Sequence, residues 1–121
     1  MTMATVADAI TSAKWHARQH VSEADAFTAD QWAACMRRAW RRLWGRWPEA
    51  FFANGERVGD LPELPVESAA ELPIDAQWID VLGAAMASDA LWSMVGDTPE
   101  RIESTAAAAG RLDGVVARGM G

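Results

Sequence analysis

The sequence predicts an all-α protein, a small bundle of about four helices with an irregular, proline-containing acidic connector. Three observations carry that reading. Apolar residues recur at helical spacing in four separate stretches. Helix start signals stand before three of them, at Thr28, Asp75 and Thr98-Pro99. Three of the five prolines, at 62, 65 and 73, cluster in one segment that cannot continue a helix. At 121 residues the chain has room for one domain with one modest core, so residues 1–121 are read as a unit.

The first helix is expected over about 4–20. Met3, Val6, Ile10, Ala13, Ala17 and Val21 form a narrow stripe of mostly small residues, which implies a close, thin contact with the core. Trp15 falls about 180° from that stripe at roughly 100° per residue. It either meets a second layer or stands exposed as an anchor for a partner.

The second helix is expected over about 29–46, capped by Thr28, with Asp30 suiting the helix dipole in its first turn. Its end, MRRAWRRLWGRW, puts three tryptophans and five arginines into residues 36–47. Trp32, Met36, Ala39, Trp40, Leu43 and Trp47 share one broad face, and Arg37, Arg38, Arg41 and Arg42 take the opposite one. Segregated aromatics of this kind are core, with Trp44 at the edge of the stripe. Pro48 ends the helix.

The connector spans about 48–74. Asn54-Gly55 is a turn pair suited to a short hairpin. DLPELPVESAAELP then reads as extended chain decorated by Glu63, Glu67 and Glu71, with a leucine before each proline to tuck onto the core. A connector this long implies a function or a further short element.

A third helix is expected from Asp75 to about 94, with Ile74, Trp78, Val81, Leu82, Ala85 and Trp92 inward. Asp89 projects onto that same face, where a carboxylate must be paired, protonated or excused by a helix break. The last helix should run over about 98–117 with Ile102, Thr105, Ala106, Ala109, Leu112 and Val116 inward. Gly110 and Gly114 each weaken it by about 1 kcal/mol relative to alanine, and residues 118–121 should fray.

Composition narrows the function classes. No run approaches the roughly 18 apolar residues of a membrane span, and the N-terminus lacks a basic region followed by a long apolar stretch. Cys35, the one cysteine, allows no internal disulfide and no CxxC pair, which suits a cytoplasmic protein. No GxSxG, GxGxxG or GxxxxGK[ST] occurs. Cys35 lies inside an alanine-and-tryptophan helix, where a thiol is inert. His16 and His20 have HxxxH spacing, but HARQH lacks the metalloprotease glutamate and only the distant Cys35 offers a third ligand. The pair is therefore read as two surface histidines and as no more than a weak metal alternative. No cofactor and no enzymatic activity are expected.

The net charge of −6 conceals a split. Residues 1–47 carry a net +3 and residues 48–121 a net −9. Two readings follow, using opposite faces. In the leading one the chain is an acidic protein-interaction module, an inhibitor, regulator or assembly factor of the kind that phages and mobile elements encode, acting on a nucleic-acid-handling complex. Trp15 and Trp44 would anchor a protein partner, and Glu49, Glu56, Asp60, Glu63, Glu67 and Glu71 would steer it. An exposed Trp15 would equally serve a homodimer. In the alternative, Arg37, Arg38, Arg41 and Arg42 track the phosphates of a nucleic acid, against the acidic balance of the whole molecule.

Overall fold

The structure, a computed structural model, describes residues 3–19, 27–53, 55–93 and 98–119. In chain order its elements are β1 (Met3–Thr5), α1 (Val6–Arg18), α2 (Ala29–Arg46), a 3-10 turn (Pro48–Ala50), β2 (Phe52–Ala53), β3 (Glu56–Arg57), β4 (Glu71–Asp75), a second 3-10 turn (Ala76–Trp78), α3 (Ile79–Ser93) and α4 (Pro99–Arg118). The four helices are those the periodicity predicts. Among the described residues the strands make only two small antiparallel pairs, β1 with β4 and β2 with β3. No described helix is long and apolar enough to cross a membrane.

α1 begins two residues later than its apolar spacing suggests, because residues 3–5 are extended and pair with β4. Thr5 caps it. Thr5 Oγ1 accepts from Asp8 N at 3.2 Å and the Asp8 carboxylate accepts from Thr5 N at 2.9 Å, a reciprocal capping box. The two remaining free donors of the first turn, Val6 N and Ala7 N, reach Ala70 O at 3.0 Å and Ser68 O at 2.9 Å. The turn that starts the helix thus also fastens the connector to it. Along the inner face Ala9, Ala13 and Ala17 are fully buried. They allow close approach to α3 at Gly83, where an added Cβ would lie 2.7 Å from Ser12 Cβ and 2.9 Å from the Ser12 carbonyl carbon.

α2 opens on a second capping box, between Thr28 and Gln31. Trp32, Cys35, Met36, Ala39, Trp40 and Leu43 face the core. The tryptophans of MRRAWRRLWGRW serve the interior. Trp40 and Trp44 approach the fully buried Phe51 edge-on, at ring separations of 4.7 and 5.2 Å. Trp40 Nε1 also donates to Pro62 O at 2.9 Å, which pins the connector across α2. Trp47 donates from Nε1 to Val116 O at 3.1 Å and lies over Gly119, whose φ of +57° closes α4. Of the tail expected to fray, Arg118 therefore ends the helix and Gly119 is held, while residues 120–121 lie outside the described residues.

α3 packs against α1, α2 and α4, and every residue from Val81 to Ser88 is buried. A helix buried on all sides has no apolar face to read. This explains two departures from the sequence reading. Trp92, expected inward, is 47% exposed at the last turn. Ile74 is buried as expected, but from β4, because Asp75 caps the 3-10 turn before α3 by accepting from Gln77 N at 3.0 Å. Ile102 is likewise exposed, since the first turn of α4 projects past the core that Thr105, Ala109, Leu112 and Val116 enter.

The connector covers one side of the bundle. β2 and β3 form the short hairpin around Gly55, at φ +79°, while Asn54 lies outside the described residues. β4 is the further element that the connector's length implied. Leu64 and Leu72 pack on the core, whereas Leu61 stays exposed.

Candidate functional site

The arginine face of α2 is not one open stripe. Arg38 donates from Nε and Nη2 to Asp89 Oδ2 of α3, at 2.7 and 2.5 Å. Arg42 Nη1 lies 2.9 Å from Asp113 Oδ1 of α4, and that oxygen also accepts from the fully buried Ser88 hydroxyl at 2.6 Å. These pairs line a cleft of about 170 Å³, walled on one side by Trp92. Asp89, the carboxylate on the apolar face, is therefore paired. Its bond to Arg38 holds the guanidinium even more firmly charged than usual. Cys35 sits beneath the pair, its Sγ 3.8 Å from Arg38 Nη2. Burial, then the charge of Asp89, pushes its thiol from 9.0 up to about 11, against a smaller opposing pull from Arg38.

Arg37 and Arg41 differ. All four arginines are exposed, but these two make no ion pair among the described residues. The phosphate-tracking alternative named four arginines; two are bound up in pairs between helices.

On the protein-docking reading the named residues fall in two groups. Glu49, Glu56, Asp60, Glu63, Glu67 and Glu71 are all exposed and carry no ion pair among the described residues. Trp44 is half-buried against Phe51. Trp15 is 57% exposed. Asp8, seven residues earlier on the same face of α1, lies about 10 Å along the axis, beside the backbone contacts that bring Glu67 and Glu71 to this end of the helix.

His16 corrects the surface-histidine expectation. It is buried, because its position on the flank of the alanine stripe turns the ring toward α3. Its Nε2 lies 3.0 Å from Asp80 Oδ1, and since a carboxylate only accepts, the proton is on Nε2. Ser12 Oγ donates to the same oxygen at 3.3 Å. The order is therefore serine, aspartate, histidine with the carboxylate in the middle, so the hydroxyl is hydrogen-bonded to Asp80 and not to the imidazole. The His16 ring meets Trp15 edge-on, 5.1 Å between centroids and 83° between planes. His20 lies outside the described residues, and among those described no group of three or more His, Cys, Asp or Glu side chains is placed to hold a metal.

Sequence reasoning placed Trp92 on the inner face while also naming it as a possible anchor, and it missed the Ser88–Asp113–Arg42 chain. A serine inside a run of apolar residues was the one available signal, since a buried hydroxyl needs a partner. Comparison of the chain with family models, with curated proteins and with solved structures gives no match in any of the three.

Proposed function

We propose that this chain is a non-enzymatic docking module that binds a protein with a basic surface, acting as a stoichiometric inhibitor, regulator or assembly factor. The observation that carries this reading is Trp15, a large aromatic more than half exposed whose inner edge rests on a fixed ring. His16 is held by Asp80, so Trp15 is braced before any partner arrives. Preorganised tryptophans of this kind dominate binding energy where they enter a partner's pocket. The connector carboxylates, which have no ion pair among the described residues, supply the complementary charge for steering, in keeping with a net charge of −6.

Arg37 and Arg41 support a second reading, contact with nucleic-acid phosphates. Two α2 cations without an ion pair among the described residues are a small footing for it on an acidic molecule. Two phosphate contacts would give a log–log salt slope of only about −2.

Capture with the tagged protein from lysate of its source, with and without nuclease, tests the proposal. A stoichiometric protein that survives nuclease, and that Trp15→Ala fails to retain, is the expected result. Recovery of nucleic acid alone, released by salt, would overturn it.

A further inference from the structure

Leu64, on the connector, packs against the core and lines two grooves that also share Arg37. One of them, a trough between α1 and α2, encloses about 320 Å³, within the range of small-ligand sites. It is lined by Val6 and Ile10 of α1, by Ala29, Ala33 and Met36 of α2, and by Leu64, Pro65 and Val66 of the connector. Its apolar lining contains one cation, Arg37. The second groove brings Arg41 to the same end. Glu63 also lines that second groove, yet no ion pair joins it to either arginine.

We infer that this trough binds a free, unbranched medium-chain carboxylate, with its tail between α1 and α2 and its carboxylate on Arg37. The small side chains at 29 and 33 line the trough one helical turn apart along α2. From Ala29 to Arg37 is eight residues, or about 12 Å of helix, a distance that saturated carbon bonded at about 1.5 Å spans with roughly eight to ten carbons. A carboxylate accepts two parallel hydrogen bonds from one guanidinium, and Arg37 has no competing ion-pair partner among the described residues. Arg41 adds a second favourable charge at the head end. The trough is distinct from Trp15 and from the paired arginines, so it stands or falls apart from the docking proposal.

Calorimetric titration of the full chain with decanoate, kept below its micelle concentration, tests the inference, with decanol and decyltrimethylammonium as controls. One decanoate per chain is expected, held more tightly than either control. Arg37→Gln should weaken decanoate about ten-fold and leave decanol unchanged. Ala33→Phe, at a half-exposed position, should abolish binding while the circular dichroism spectrum stays that of the parent. Absence of saturable binding, equal binding of the decyl cation, indifference to Arg37→Gln, or uptake only by micelles or vesicles would each overturn it.

Discussion

Arg38 Nε donates to Asp89 Oδ2 across the α2–α3 boundary at 2.7 Å. The bond ties the basic face of one helix to the one carboxylate within the apolar run of another. It satisfies a charge that the periodicity of α3 places toward the core, and it engages Arg38, whose side chain remains 56% exposed. Arg42 and Asp113 repeat the arrangement between α2 and α4. The contrast between a basic N-terminal part and an acidic remainder is, at these positions, an internal attraction.

Asp89→Ala should lower stability by about 1 kcal/mol, because both partners are partly solvated and such pairs are weak. A double-mutant cycle with Arg38→Ala in urea unfolding should return a coupling of about 0.5–1 kcal/mol. Coupling near zero would mean that the pair does not hold α2 to α3.

Two glycines should respond with opposite signs. Gly83→Ala places a methyl group against the Ser12 side chain and backbone, and should cost about 1–3 kcal/mol through overpacking. Gly110→Ala meets nothing within 4 Å in the middle of α4, and should raise stability by up to about 1 kcal/mol. Thermal unfolding of the two variants beside the parent checks both. A stabilising Gly83→Ala would contradict the close α1–α3 crossing.

Cys35 should resist alkylation in the native protein. With its thiol pushed up to about 11, the thiolate is scarce at pH 8, and burial restricts access further. The sign for stability follows from a folded value raised above the unfolded one. The contribution is fully present below about pH 9 and is lost as pH rises through about 11. Iodoacetamide labelling at pH 8 should be slow in buffer and fast in denaturant, and urea midpoints should fall between pH 9 and 11. Equal labelling rates in the two conditions would count against a buried thiol.

Arg37→Gln with Arg41→Gln should remove any salt-dependent binding to a mixed-sequence duplex measured by fluorescence anisotropy. The same change at Arg38 and Arg42 should have less effect on binding and more on stability, since those two already hold carboxylates. Equal loss from both pairs would restore the four-arginine stripe as a binding surface.

Much of the fold was legible in local signals. Thr28, Thr98-Pro99 and the segregated tryptophans of α2 marked helix ends and faces, because capping and amphipathic periodicity act within a few residues. The orientation of Trp92 was not legible, since α3 is buried on all sides and its sequence carries no phase. β4 was hidden for another reason: its short run, interrupted by Pro73, makes sense only once β1 lies beside it. Of the candidate site, the angle of Trp15 to the alanine stripe left two options, a second packed layer or exposure, and the structure shows exposure. The burial of His16 could not be read, because Asp80, 64 residues away in sequence, is what receives it.

The most direct measurement is the affinity of the chain for the protein recovered in the nuclease-treated capture, compared across three forms: parent, Trp15→Ala, and Arg37→Gln with Arg41→Gln. The docking account predicts that Trp15→Ala loses at least about 2 kcal/mol, roughly thirty-fold in Kd, while the arginine variant stays within about three-fold of the parent. The reverse pattern, with Trp15 silent and the arginines essential, would contradict it and move the functional surface to the exposed edge of α2.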